Sequence, residues 1–358
     1  MIQGHGGNII KLAKILNCSS DEIIDMSSNL NPLGPPESIK DSIFDNFASI
    51  LSLPEVDAIT MRKGFARFHG INHDNVMAGN GTTWFIYTIP KALGARKVLI
   101  TGPTYSDYKD ACLMHGIKFE HYHSKALNMF DMDIDKVSQL AQLADMVFIC
   151  NPNNPTGSLI SKDKLEYLIL KHKNTIFIID ESYLPFVEHA QDISLVVNTQ
   201  HKNLIVLTSM SKIFRIPGLR TGFLSAPKKL IEKIMVYYQP WSVNALAQAV
   251  IKDIFDHPEN IAPFYEKTQS FIRTEKEIFL GHLKHTHKLQ IFDSNTYFFL
   301  ARLTGMAKAE EFCSKIGQNK ILIRNCSNFA GLSDEYVRFS LKTREANLNL
   351  ATLIKQAL

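Results

Sequence analysis

Apolar and polar positions in this chain fall into two alternating rhythms. From about Val76 to Leu224, short apolar runs recur at Lys97–Thr101, Lys118–His121, Met146–Cys150, Thr175–Asp180, Leu204–Ser209 and Thr221–Ser225, with helically spaced stretches between them. Trp84–Leu93 reads as one of those helices. Such alternation predicts βαβ units around a mostly parallel sheet, an α/β fold. The rhythm changes after Pro240-Trp241-Ser242-Val243-Asn244, where long helical patterns (Ala245–Phe255, Ala262–His282) precede two short strands, Tyr297–Leu303 and Tyr336–Leu341. A large domain over 46–240 and a smaller α+β domain over 241–358 are therefore expected.

The candidate chemistry sits just past the strand ends, where open α/β sheets bind ligands. Leu204–Ser209 runs into Met210-Ser211-Lys212-Ile213-Phe214-Arg215-Ile216-Pro217-Gly218-Leu219-Arg220. The Lys212 amine can form a Schiff base with an aldehyde, while Ser209, Ser211 and Arg220 neutralise a phosphate dianion. Pyridoxal 5′-phosphate is the cofactor that needs both jobs done together. Phe177-Ile178-Ile179-Asp180-Glu181-Ser182-Tyr183 ends an apolar strand in a carboxylate. Asp180 is the candidate partner of a pyridinium nitrogen, keeping it protonated so that the ring withdraws electrons. Tyr183, and Asn154 in the turn Cys150-Asn151-Pro152-Asn153-Asn154-Pro155-Thr156-Gly157, suit the ring's phenolic oxygen. Gly79-Asn80-Gly81-Thr82-Thr83 precedes a helix and offers free N–H groups at its positive end, a phosphate seat. Tyr105, in Pro103-Thr104-Tyr105-Ser106-Asp107-Tyr108, can stack on a pyridine face. Each segment alone is an ordinary turn; their order, each after an expected strand, points to one cofactor site.

Composition narrows the picture. The chain has 358 residues, is 45% hydrophobic, and contains no uninterrupted apolar run of the roughly 18 residues a membrane span requires. Met1-Ile2-Gln3-Gly4-His5-Gly6-Gly7 lacks the charged and apolar regions of a signal peptide. Cys18, Cys112, Cys150, Cys313 and Cys326 are dispersed without C-x-x-C spacing, so a reducing cytoplasm is expected, without disulfides or a metal site. A net charge of +4 gives no case for nucleic acid.

On these segments the chain resembles, over nearly its whole length, the pyridoxal-phosphate enzymes of fold type I, the aspartate aminotransferase-like superfamily. The resemblance implies a homodimer, and an N-terminal segment, 1–45, that joins the small domain. It assigns Lys212 the Schiff base, Asp180 the ring nitrogen, Asn154 and Tyr183 the phenolic oxygen, and Tyr105 the ring face. Gly81, Thr82, Ser209, Ser211 and Arg220 would hold the cofactor phosphate. Arg338, in Tyr336-Val337-Arg338-Phe339-Ser340, matches the arginine that forks onto a substrate carboxylate.

Two further features bear on the reaction. His5-Gly6-Gly7-Asn8 allows close backbone approach and offers donors to an anion. Leu322-Ile323-Arg324-Asn325-Cys326-Ser327-Asn328-Phe329 places a second arginine ahead of Arg338. With Asn29-Leu30-Asn31-Pro32-Leu33-Gly34, Ile216–Gly222 and Trp241–Ala245, these segments look like the L-threonine-O-3-phosphate decarboxylase branch of the histidinol-phosphate aminotransferase-like class. That branch decarboxylates a phosphorylated amino acid to an aminoalkyl phosphate for the cobamide nucleotide loop. By carry-over, His5, Gly6, Asn8, Asn29 and Arg324 would face the substrate phosphate, with Arg338 and Asn154 on the rest of the substrate, and Lys212 would protonate Cα. An aminotransferase acting on histidinol phosphate is the alternative. A pyridoxal-phosphate-binding regulator is disfavoured, because no DNA-binding segment is visible. One position departs from the pattern: relatives often carry Arg-Tyr-Pro-Asp where this chain has Ser52-Leu53-Pro54-Glu55, so the hydroxyl that reaches the neighbouring subunit's cofactor is missing at Leu53.

Overall fold

The computed structural model describes residues 6–305 and 308–358. A short strand β1 (Ile24–Asp25) precedes the strands of the main sheet: β2 (Val76–Asn80), β3 (Lys97–Gly102), β4 (Lys118–His123), β5 (Met146–Cys150), β6 (Ile176–Asp180), β7 (Leu204–Ser209) and β8 (Thr221–Ser225). Their order across the sheet is β2-β8-β7-β6-β5-β3-β4. β8 runs antiparallel to both neighbours, and every other pairing is parallel. Every residue of β5 is buried, as a strand covered by helices on both faces requires. The parallel register aligns Cys150 with Asp180 and Asp180 with Leu207, so the ends of β5, β6 and β7 open on one edge.

The strands β9 (Leu289–Ile291), β10 (Phe298–Leu303), β11 (Ile321–Leu322), β12 (Arg324–Asn325) and β13 (Tyr336–Ser340) follow. An antiparallel sheet takes the order β12-β13-β10-β9, and β1 pairs in parallel with β11. The N-terminal segment is thereby stitched to the C-terminal region.

Helix Ala245–Asp256 packs with the first part of the chain rather than with this second sheet. The Arg67 guanidinium donates to the Phe255 carbonyl at 3.0 Å, and a Cβ on Gly64 would lie 2.9 Å from Phe255. The long helix Ile261–Leu283 follows it. The expected helix at Trp84–Leu93 begins earlier, at Gly81, because Gly81 is the residue that turns the chain out of β2. Among the described residues, no helix is long and apolar enough to cross a membrane.

Candidate active site

The edge where β5, β6 and β7 end gathers the chemistry. Asp180 closes β6 and is buried. Its Oδ2 accepts from the Tyr108 hydroxyl at 2.8 Å, and its Oδ1 from the Ser182 amide at 3.0 Å and hydroxyl at 2.5 Å. Three donors fix the carboxyl's orientation. Tyr108 is fully buried, stacks on Phe148 at 4.8 Å, and burial raises its phenol well above the ordinary range, so it stays a donor. The sequence patterning singled out Tyr105 in this segment but gave Tyr108 no role. The only sequence signal for Tyr108 is its place three residues on, in the first turn of helix Asp107–Met114.

Lys212 lies in the single turn Met210–Ile213 that follows β7. Asn31 supports this turn from the N-terminal segment: its amide donates to the Lys212 carbonyl at 3.2 Å, and its Nδ2 to the Ile213 carbonyl at 2.7 Å. The Lys212 ammonium sits 5.9 Å from the centre of the Tyr183 ring. Burial, and after it the Arg220 charge, push the Lys212 amine down to about 8. A free amine is thus present near neutral pH, the form that attacks an aldehyde.

Behind Lys212, the start of helix Gly81–Ala92 meets Arg220. A Cβ on Gly81, whose φ is +76°, would lie 2.8 Å from Arg220 Nη2. Gly222 brings β8 so close that a Cβ there would lie 2.6 Å from the Thr82 amide nitrogen. Asn80 makes no side-chain cap bond to this helix start. Ser209 precedes the Lys212 turn, likewise without a side-chain cap bond, and the Ser211 hydroxyl donates to the Thr221 carbonyl at 3.2 Å. The structure thus brings Gly81, Thr82, Ser209, Ser211 and Arg220 around the back of Lys212. Backbone N–H groups, hydroxyls and a guanidinium are the donors a phosphate needs.

In front of Lys212 a cavity of about 160 Å³ is lined by Gly6, Ser27, Ser28, Asn29, Tyr105, Ser106, Asn154, Tyr183, Lys212, Arg324, Asn328, Phe329 and Arg338. Asn29 Nδ2 lies 3.4 Å from the Tyr183 hydroxyl, while its Oδ1 accepts from Ser340 at 2.9 Å. Burial raises the Tyr183 phenol, with Arg338 opposing, so this hydroxyl also keeps its proton. Arg338 is buried; it donates to Asn154 Oδ1 and to the Ser27 carbonyl, and its Nε has no partner among the described residues. Its cross-strand neighbour on β12 is Arg324. Arg324 donates to the Asn325 carbonyl and, at 2.6 Å, to Asn328 Oδ1, and lies 5.1 Å from the Phe329 ring centre. Burial lowers the Arg324 guanidinium.

The N-terminal arm reaches this cavity through Gly6. A Cβ on Gly6 would lie 2.6 Å from the Ser27 carbonyl oxygen, and the Gly7 amide donates to Ser27 Oγ at 2.7 Å. Asn8 does not join the lining, contrary to its expected place at a substrate phosphate. Its Oδ1 caps helix Ile9–Leu16 by accepting from the Lys11 amide at 3.1 Å, which points it to solvent. His5 lies outside the described residues.

A positive donor cradle, a lysine with a lowered pKa and a carboxyl fixed by three donors, all converging on one strand edge, fit pyridoxal phosphate. The sequence profile of the aminotransferase class I and II family matches residues 21–354. The chain is 28% identical to a threonine-phosphate decarboxylase of Salmonella typhimurium, over 99% of this chain and 96% of that one. It is 30% identical to the adenosylcobalamin biosynthesis bifunctional protein CobDQ of Leptospira interrogans, over 96% of this chain but only 40% of that longer protein. A histidinol-phosphate aminotransferase of Methanococcus aeolicus is 27% identical over 97% of this chain and 93% of its own. The crystal structure of L-threonine-O-3-phosphate decarboxylase from Porphyromonas gingivalis superposes with a TM-score of 0.83 at 28% identity, covering 93% of this chain and 99% of that one. The chain belongs to the aminotransferase class I and II family, an α/β enzyme family of fold type I, and its cofactor is pyridoxal 5′-phosphate.

Proposed function

We propose that this enzyme removes carbon dioxide from an O-phosphorylated amino acid, L-threonine O-3-phosphate or L-serine O-phosphate, giving an aminoalkyl phosphate for cobamide nucleotide-loop assembly. The observation that carries this reading is the Arg324–Arg338 cross-strand pair. Directly opposed residues on adjacent strands share a face, and like charges there destabilise the pair. Both arginines also line the small cavity that holds Lys212. A substrate with a carboxylate and a phosphate relieves that repulsion at both guanidiniums. The relatives named threonine-phosphate decarboxylase and CobDQ support the same reading.

When bound, pyridoxal phosphate supplies an electron-withdrawing ring conjugated to the substrate Cα, which stabilises the charge left as carbon dioxide departs. The chain's own residues do the rest. Lys212 would hold the cofactor through its amine, and its Nζ would return a proton to Cα. Asp180, oriented by Tyr108 and Ser182, holds the proton of the ring nitrogen. Tyr183 and Asn154 would hold the phenolic oxygen, and Tyr105 the ring face. Gly81, Thr82, Ser209, Ser211 and Arg220 bind the cofactor phosphate. Arg338 orients the substrate carboxylate, while Arg324, Asn29 and the Gly6 backbone receive its phosphate. We also propose a homodimer, supported by an exposed apolar strip that includes Leu51 and Leu53, 85% and 80% exposed.

The identity to histidinol-phosphate aminotransferases supports a second reading, transamination of a phosphorylated amine. One assay separates the two: holoenzyme with O-phospho-L-threonine or O-phospho-L-serine, without any oxo acid, followed for carbon dioxide and aminoalkyl phosphate. Sustained turnover is expected. Turnover only with histidinol phosphate plus 2-oxoglutarate would replace the decarboxylase by the aminotransferase.

A further inference from the structure

A second, larger cavity of about 860 Å³ shares no lining residue with the first. The same two backbone segments nevertheless build both. At the end of β6, Tyr183 lines the active-site cavity, while Glu181, next to Asp180, and Leu184 line the larger one. At the end of β7, Thr208 and Met210 line that cavity, and Lys212 reaches the active site. The ends of β6 and β7, with the helical turns that follow them, therefore carry side chains into both chambers.

Much of the larger wall is apolar, with Phe68, Val196, Met210, Phe255 and Ile261 among its residues. Its polar groups include three carboxylates, Glu181, Glu188 and Glu266, against one guanidinium, Arg273. Glu181 is 3% exposed and accepts from the Ser194 hydroxyl at 2.5 Å and the Leu195 amide at 2.7 Å, so neutral donors alone hold it. Burial pushes its carboxyl up to about 7. Gln269 commits its amide nitrogen to the Pro185 and Val187 carbonyls, at 3.0 and 2.9 Å, leaving its carbonyl oxygen to accept. Glu188 and Glu266 add carboxylates, of which Arg273 meets Glu188. Burial lowers His69 to about 4, so it brings no positive charge near neutral pH. An apolar chamber with acceptors and excess negative charge complements a ligand of opposite character.

We propose that this cavity binds an amphipathic organic cation, its alkyl or aryl body against the apolar wall and its protonated nitrogen donating to Glu181. Any occupant would press on the backs of the segments that carry Asp180 and Lys212. The proposal does not depend on which substrate the enzyme takes.

The test is isothermal titration of the holoenzyme at pH 8 with N,N-dimethylhexylamine, a tertiary amine that cannot condense with the cofactor aldehyde. Hexan-1-ol and hexanoate test the body without the cation. Glu181→Gln removes the charge, and Ala262→Trp fills the cavity from an exposed helix position. Saturable one-site binding of the amine is expected, at least tenfold weaker for both comparison ligands and for both variants. No saturable heat, equal affinity for hexan-1-ol, or unchanged affinity in the Ala262→Trp enzyme would overturn the proposal. Should Glu181→Gln fail to fold, the ligand series and Ala262→Trp still give the answer. No substrate is present, so failure here leaves the decarboxylase reading untouched.

Discussion

At the scale of single residues, Lys212 sets the pH behaviour. Burial and Arg220 lower its amine from the ordinary 10.5 to about 8, whereas the unfolded chain keeps the ordinary value. Between those two values the unfolded state binds more protons, so the stability of the apoenzyme should rise with pH from about 8 towards 10.5. Denaturant titrations of the apoenzyme across that window check the sign. Capture of the cofactor by the apoenzyme should accelerate about tenfold per pH unit below the inflection, as the free-amine fraction grows. Arg220→Gln removes the second cause of the depression and should move the inflection upward, read from the absorbance rise on reconstitution. Tyr108→Phe addresses a different atom. It strips one of three donors from Asp180 while Ser182 stays in place. Cofactor affinity should fall by about 1–2 kcal/mol, the worth of a buried hydrogen bond. Equilibrium dialysis of the cofactor measures it, and unchanged affinity would mean that Tyr108 serves packing alone.

At the scale of elements, the antiparallel pairing of β12 with β13 brings Arg324 and Arg338 together at the proposed substrate end of the site. Arg324→Gln should raise KM for O-phospho-L-threonine by about two orders of magnitude, the loss of a charge-assisted pair, with little change in the cofactor spectrum. Gly6→Ala forces a Cβ against the Ser27 carbonyl and should lift the arm, raising KM while leaving cofactor affinity intact. A KM that stays put would remove the arm from the substrate site. These elements also show where the sequence speaks and where it stops. Val98–Ile100 and Met146–Cys150 are legible as strands because burial on both faces leaves no polar interruption. Lys212, Asp180 and Asn154 are legible because each follows such a strand. β1, β11 and β12 span two residues each, too short to leave a period, and only tertiary pairing creates them. The Arg324–Arg338 register depends on that pairing, so the sequence shows two arginines but not that they face each other. Asn8 fails for the opposite reason: a purely local bond to Lys11 claims the side chain that spacing offered to a ligand.

At the scale of the molecule, the proposed phosphate seat is open to solvent at Arg220, and an apolar strip adjoins it. Phe47, Leu51, Leu53, Val56 and Trp241 are each between 49% and 85% exposed. The Trp241 amide donates to the Val56 carbonyl at 2.9 Å, and Asn244 Nδ2 to the Leu219 carbonyl at 3.0 Å, so the strip runs up to the residue before Arg220. Large exposed side chains gathered in one strip mark an interface. On the proposed homodimer, the double variant Phe47→Asp, Leu51→Asp should therefore sediment as a monomer where the wild type is expected to sediment as a dimer. It should also release pyridoxal phosphate faster, because water would then reach the seat from the side that a second subunit is proposed to cover. Leu53→Tyr tests the same face with the opposite sign. A hydroxyl there can donate across the interface, and a new hydrogen bond to a phosphate should tighten cofactor binding by about 1.5–3 kcal/mol. That gain should appear only in the dimer. The triple variant, carrying both aspartates and the tyrosine, should bind the cofactor no better than the double variant, and a gain that survived in the monomer would show that the tyrosine acts within its own subunit.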